Sequence, residues 1–219
     1  MFIGHLGAGL ALKKFDRRTN LVWLFGAALF SDLLLWVLVL VGVERANVPE
    51  NYAQLHYLTF QFPYSHGVVA SISWSILILV VAQLLTRNLR TAVVLAVGVL
   101  SHCLLDWVEH PPEIPLLGAG SPQFGLGLWN AMPMALGLEL GLLLFGLHFY
   151  FNATTGTGFA ARYGLIILLG LLTVMAFGGQ LFAPKPSSST QVAGSSLVSL
   201  VVLLLLAGWL DRKRSVVQQ

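Results

Sequence analysis

Six long runs of apolar residues constrain this chain more than any other feature. They cover approximately residues 21–43, 66–85, 91–108, 130–151, 163–183 and 194–210. A helix of about 20 apolar residues is long enough to cross a hydrocarbon core about 30 Å thick. Only 10% of the residues are charged, against roughly 25% in soluble domains. The sequence therefore predicts an all-α, polytopic membrane bundle with six full spans in one domain, residues 1–219.

A shorter apolar segment precedes these runs. Residues 1–12 would form a helix only about 18 Å long, so we expect a short N-terminal helix that enters the membrane part-way. Its glycines (Gly4, Gly7 and Gly9) would allow close backbone packing against neighbouring helices. Gly137 and Gly141 have the GxxxG spacing, which predicts a second close contact in the run 130–151.

The basic residues are distributed unevenly between the loops. Of the twelve lysines and arginines, all except Arg45 and Lys185 lie in alternate connecting segments or the C-terminal tail. By the positive-inside rule these segments face the cytoplasm. We expect a multi-pass protein of a bacterial inner membrane with a cytoplasmic C terminus and with loops 44–65, 109–128 and 184–192 outside. A net charge of +3 spread over such loops indicates membrane lipids as partners and no nucleic acid.

One of these runs ends in an unusually polar motif, LSHCLLDWVEH, at residues 100–110. His102 and Asp106 are four residues apart, so on a helix their side chains lie on one face with Cβ atoms about 5–6 Å apart. An imidazole and a carboxylate at this spacing can bind one metal ion. Taken alone, the pair fits a hydrogen-bonded packing pair equally well. In either case it faces a partner, because ionisable groups facing lipid are costly.

Three more ionisable side chains fall in apolar segments at comparable depths. They are His5 in the N-terminal segment, Asp32 at the middle of the run 21–43, and His66 at the start of the next run. Taken singly, each can be explained without a metal, for example as an interfacial histidine or as an acid that is paired for packing. Together with the motif they supply three imidazoles and two carboxylates, a set that suits zinc and, less specifically, manganese or iron. The predicted metal ligands are His5, Asp32, His66, His102 and Asp106.

Further side chains near the motif have predicted supporting roles. Asp106 and Glu109 are the candidates for accepting a proton from a catalytic water. Glu139 and His110 are candidate partners that orient the ligands. Ser65 is predicted to cap the N terminus of the helix that begins near His66.

The spacing of these residues resembles the bacterial inner-membrane metal-dependent hydrolases of the YdjM-like type. The matching features are Gly4-His5, Ser31-Asp32, Ser65-His66 and the SHxxxD pattern of residues 101–106. A more distant similarity is to the His and Asp ligands of helical zinc phospholipases C and nucleases. The resemblance covers residues 1–110, the metal-site half, and leaves the three-span half 129–210 without diagnostic sequence. The resemblance implies that the same five residues bind metal and that the protein is a hydrolase. Many members carry a DxDH run where leucines follow Asp32 here, a departure that favours one metal or a weaker site.

The sequence thus favours a hydrolase that acts on a lipid-linked phosphate or ester at the outer leaflet. Two alternatives remain open. A transporter or proton-coupled permease would use the buried histidines and aspartates as a relay, although the cytoplasmic halves of the spans are almost wholly apolar. A non-catalytic scaffold would use the same site to stabilise the bundle. The sequence indicates no particular oligomeric partner.

Overall fold

The computed structural model describes residues 1–217. Five helices in it are long and apolar enough to cross a membrane, and the number rises to six if a bent pair of helices is counted as one span. The prediction of an all-α polytopic bundle is confirmed. The helices are α1 (Ile3–Leu12), α2 (Leu21–Ala28), α3 (Phe30–Leu40), α4 (Tyr52–Leu55), α5 (Val68–Thr86), α6 (Leu89–Glu109), α7 (Met132–Ala153), α8 (Leu165–Phe182) and α9 (Ser189–Asp211). A 3₁₀ turn precedes α7 and a π turn precedes α8.

The continuous hydropathy of the apolar run 21–43 suggests one straight helix, but the run is broken in two. It forms α2 and α3, which meet at Leu29 with a bend of 62°. The bend leaves the carbonyl of Ala28 pointing at another helix, where it accepts a hydrogen bond from His102. Buried backbone carbonyls need such a partner, because an unpaired one costs about 1–3 kcal/mol. The break therefore places Asp32 and a free carbonyl beside α6.

The short helix α1 lies inside the bundle and packs along α7. The two helices approach closely at Gly7 and Gly146, where an added Cβ on either residue would overlap the backbone of the other helix. The predicted GxxxG contact was wrong, since a Cβ on Gly137 or Gly141 would meet nothing within 4 Å. Gly137, Gly141 and Gly146 all lie in the same apolar helix, α7. The periodicity of the sequence alone could therefore not show which of them contacts α1.

The two ends of the bundle differ in character. At one end, called here the basic end, Lys13 pairs with Asp211 at 2.7 Å, and strand β5 (Thr154–Thr155) pairs with β6 (Ser215–Val216). At the other, the loop end, two hairpins form. Strand β1 (Arg45–Asn47) pairs with β2 (Thr59–Gln61), and β3 (Ile114–Pro115) with β4 (Gln123–Phe124). An apolar core of leucine, isoleucine and phenylalanine side chains from α1, α2, α8 and α9 fills the space between the helices.

Candidate metal centre

Four side chains from three segments (α3, the segment before α5, and α6) bring their ligand atoms into one cluster. The Nε2 atoms of His66 and His102 are 3.1 Å apart. Asp106 Oδ2 lies 3.4 Å from the first nitrogen and 3.0 Å from the second. Asp32 Oδ1 lies 3.7 Å from each. Each of the three side chains other than Asp32 is at least 97% buried, so this is an interior cluster with one partly accessible member.

These separations match those between the ligands of a bound ion. Zinc binds imidazole nitrogen and carboxylate oxygen at about 2.0–2.2 Å, in tetrahedral geometry. The ligand atoms of such a site are therefore about 3.3–3.6 Å apart. The five separations among these four atoms run from 3.0 to 3.7 Å, on both sides of that range. His66, His102 and Asp106 form one group that could hold a metal ion, and Asp32 Oδ1 lies 3.7 Å from both imidazole nitrogens of that group. This donor set fits a divalent transition metal.

The orientation of the His102 ring is set by the break between α2 and α3. Its Nδ1 lies 2.7 Å from the Ala28 carbonyl oxygen. A carbonyl can only accept a hydrogen bond, so Nδ1 carries the proton and donates it. In the neutral ring Nε2 then carries a lone pair, which points into the cluster. A histidine that binds metal through one nitrogen typically donates its other N–H in this way.

His66 is oriented by a relay of two side chains. Ser65 Oγ donates a hydrogen bond to Glu44 Oε2 at 2.6 Å, and lies 2.8 Å from His66 Nδ1. Because the hydroxyl has a single proton, its oxygen must accept from His66 Nδ1–H. The lone pair of His66 is therefore on Nε2. Glu44 is itself held by the backbone N–H groups of Tyr64 and Ser65.

The expected role of Ser65 as an N-cap was wrong. Helix α5 begins at Val68 with Gly67 in the cap position, and no side chain caps it. The hydroxyl of Ser65 is engaged instead between Glu44 and His66. A carboxylate 21 residues earlier in the chain competes for the serine, and such a partner leaves no local signal in the sequence.

The two ring orientations have a consequence for the whole cluster. Two neutral imidazoles here direct their lone pairs at each other across 3.1 Å, with two carboxylate oxygens beside them. Four electron-rich atoms buried at this distance repel each other unless a cation lies between them. A divalent ion meets this requirement for His66, His102 and Asp106 together, whereas a single proton bridges only two of them.

His5 stands beside this set of four. Its ring stacks on the His102 ring with the centroids 3.7 Å apart, and its Nε2 lies 3.0 Å from Asp106 Oδ1. With Asp32 and His102 it forms a second group of possible ligands. Its Nδ1 is buried and has no hydrogen-bond partner among residues 1–217. His5 thus contacts two members of the set and retains one nitrogen for a further interaction.

The two predicted glutamates lie in different surroundings. Glu139 Oε2 accepts from the backbone N–H groups of Ile3 and Gly4 at 2.6 and 3.1 Å. It caps α1 and so positions the helix that carries His5, and it contacts no ligand imidazole. Glu109 Oε2 accepts from Trp129 Nε1 at 2.9 Å, and lies 3.5 Å from the Met1 amino group. Glu109, a predicted proton acceptor, is fully buried.

His110 follows the end of α6 and is paired with a residue that the sequence reading passed over. Its Nδ1 lies 2.7 Å from Glu113 Oε1, and Glu113 Oε2 accepts from the Phe60 N–H at 2.9 Å. Burial lowers the pKa of His110 and so favours the neutral ring. The Glu113 carboxylate accepts the hydrogen bond from Nδ1–H, which leaves the lone pair of that neutral ring on Nε2. The i, i+3 spacing of His110 and Glu113 was visible in the sequence, but the loop conformation was not.

A pocket of about 340 Å³ adjoins the cluster. Asp32, His66 and His110 line one side of it, together with the aromatic rings of Trp36, Phe60, Phe62 and Trp129. Ligand pockets typically measure about 300–1,000 Å³, so this one holds a group of small-molecule size. The side chain of Asp32 is 22% exposed, which makes it the ligand that a bound molecule would meet first.

Comparisons with protein-family models, curated proteins and solved structures returned no match to this chain.

Proposed function

We propose that this protein is a membrane-embedded hydrolase that uses one divalent metal ion, with zinc the best fit to the ligands. The observation that carries the proposal is the ligand group of His66, His102 and Asp106 with Asp32 beside it, in which both imidazoles are oriented by hydrogen bonds. Asp32, His66, His102 and Asp106 would hold the ion. His5 would support Asp106 and His102. When bound, such an ion supplies a nucleophilic water of lowered pKa and polarises a carbonyl or phosphoryl oxygen.

The residues around the pocket supply the remaining steps. His110 Nε2 is oriented by the Glu113 hydrogen bond, and its ring lines the pocket. It is placed to accept the proton of an attacking water, a role usually worth about 10²–10⁴ in rate. Asp106, the earlier candidate, is engaged through Oδ2 in the ligand set and through Oδ1 with His5. Glu109 is engaged with Trp129. His110 therefore replaces both as the preferred proton acceptor.

The membrane setting points to the substrate. The pocket lies between apolar spans, and five phenylalanine and tryptophan residues line it, so an acyl or prenyl chain can approach from the lipid. A phosphate or ester near the headgroup would then reach Asp32 and the ion. The excess of basic residues at the opposite end supports an outward-facing loop end, by the positive-inside rule. This assignment and the YdjM-like resemblance of the ligand motifs remain parts of the proposal.

The test is hydrolysis by the purified protein. The protein is stripped with a chelator, reloaded with one equivalent of zinc, and assayed in mixed micelles for release of headgroup or phosphate from phospholipids. We expect turnover that depends on metal. Asp32→Asn should lose it, while Ser75→Ala, a buried hydroxyl that bonds the Ala96 carbonyl away from the cluster, should retain it.

Two results would replace the proposal. Zinc that raises the thermal stability of the protein, without turnover on any phosphate or ester, would favour the structural scaffold. Metal-independent movement of protons or solutes across liposomes would favour the transporter.

A further inference from the structure

The last two helices form a polar wall of the same pocket. Gln180 of α8 and three serines of α9 (Ser195, Ser196 and Ser199) line it together with Asp32 and His66 of the ligand cluster. Ser195 and Ser199 are four residues apart, and Ser196 precedes Ser199 by three, so the three hydroxyls share one face of α9. Helix α9 packs antiparallel against α3, the helix of Asp32. At 1.5 Å per residue, Asp32 is about 12 Å from the loop end of α3, and the serines are about 9–15 Å from the loop end of α9.

This wall has hydrogen-bonding capacity that the protein itself leaves unused. Ser195 Oγ donates to the Gln191 carbonyl at 2.9 Å, as a serine within a helix commonly does. The hydroxyls of Ser196 and Ser199 have no such bond among the described residues. Gln180 Oε1 is buried and has no hydrogen-bond partner within residues 1–217. Unpaired polar groups in an apolar bundle are costly, and a ligand in the pocket would pair them.

The chemistry of the wall selects for a neutral ligand group. It offers hydroxyl and amide groups, which both donate and accept hydrogen bonds. No lysine or arginine lines the pocket within residues 1–217, so an additional anionic group would be left without a counter-charge. The facing rings of Trp36 and Trp129 offer flat apolar surfaces to C–H groups. A group that combines several hydroxyls with C–H faces fits both walls.

We infer that this wall is a headgroup subsite for a polyhydroxyl group, either glycerol or a sugar, joined to the phosphate that the metal centre cleaves. The cleavage step in this inference rests on the proposed function, whereas the binding of the headgroup does not. Hydrolysis would add water across the phosphate ester, with a proton to the leaving oxygen and a hydroxyl to phosphorus. Glycerol and sugar headgroups share the recognised chemistry, and the experiment separates them.

The experiment measures binding and turnover separately. Zinc-loaded protein is titrated with nanodiscs that contain phosphatidylglycerol, a glucosyl phospholipid, phosphatidylcholine or phosphatidylserine with identical acyl chains, and tryptophan fluorescence is recorded. We expect the first two lipids to bind at least tenfold more tightly than the last two. Whichever of these two lipids binds more tightly identifies the preferred headgroup as glycerol or as a sugar. The same four lipids are then assayed for hydrolysis.

Variants assign the selectivity to the wall. The double change Ser196→Ala and Ser199→Ala should lower affinity for the polyol lipid about 5- to 50-fold, as expected for two lost hydrogen bonds, with zinc content unchanged. Ser73→Ala, an exposed hydroxyl bonded to the Val69 carbonyl, is the matched control and should change nothing. Equal binding of all four lipids, or a double variant that keeps its selectivity, overturns the subsite even if hydrolysis occurs. Selective binding without hydrolysis keeps the subsite and overturns the proposed reaction.

Discussion

Replacing Ser65 by alanine tests the orientation of the imidazoles directly. Within residues 1–217 the hydroxyl is the side-chain partner of His66 Nδ1, and it fixes the tautomer because its oxygen accepts from Nδ1–H at 2.8 Å while it donates to Glu44 at 2.6 Å. Without it, His66 can place its proton on Nε2, the atom that faces the cluster. Binding a cation then requires the proton to move back to Nδ1, where it has no partner.

The size of the effect follows from these contacts. Loss of a hydrogen-bond partner that orients a metal ligand typically lowers metal affinity about 10- to 100-fold, which is about 1.4–2.7 kcal/mol. The folded protein also loses the bond to Glu44, and hydrogen bonds to charged groups contribute about 1.5–3 kcal/mol. Glu44 keeps two backbone N–H donors, so we expect a cost near the lower figure.

The assay is competition for zinc against a chromophoric chelator, with the unfolding temperature measured in parallel. Ser75→Ala is the matched control, because Ser75, which lies within α5, is buried like Ser65 and its hydroxyl bonds the Ala96 carbonyl at 2.9 Å. Both variants should lose stability, and only Ser65→Ala should lose zinc affinity. Affinity within about twofold of the wild-type value in Ser65→Ala would refute the argument from tautomers.

Two further predictions concern packing and pH. Gly146→Ala should lower stability by about 1–3 kcal/mol, because its methyl group overlaps the backbone of α1. Gly141→Ala is the control, since Gly141 faces open space, and it should be neutral or slightly stabilising in thermal unfolding. Equal effects of the two variants would contradict the α1–α7 contact. Although burial raises it, hydrogen bonds from Thr19 and Thr91 hold the pKa of Asp16 below its ordinary value of 3.8. The stabilisation from Asp16 is therefore present above about pH 4 and lost as the pH falls toward the folded-state pKa. The stability difference between wild type and Asp16→Asn should shrink on acidification, and a constant difference would contradict it.

The architecture was predictable from the sequence because it depends on the length of the apolar runs. Hydropathy defines a span by composition, and composition does not change when a helix bends. The break at Leu29 was therefore invisible, although it positions Asp32 and frees the Ala28 carbonyl for His102. The choice between glycine pairs was invisible for a similar reason, since it depends on which helix faces α1.

The candidate ligands were visible because ionisable residues within apolar runs stand out from their neighbours. Their supporting partners were not. Glu44 lies in a loop among other polar residues, and only the folded hairpin brings its carboxylate to Ser65. The serines of α9 have an ordinary composition for a membrane helix, and their relation to the pocket depends on the packing of α9 against α3.

X-ray absorption spectroscopy of the zinc-loaded protein tests the central claim most directly, with the metal content measured on the same samples. We expect one zinc per chain, bound by two imidazole nitrogens and two carboxylate oxygens at about 2.0–2.2 Å. His102→Ala should lose the metal. His148→Ala, whose ring is bonded to Asn152 away from the cluster, should keep it with an unchanged spectrum. A protein that binds no stoichiometric metal, or zinc whose spectrum is the same in His102→Ala, would contradict the site described here.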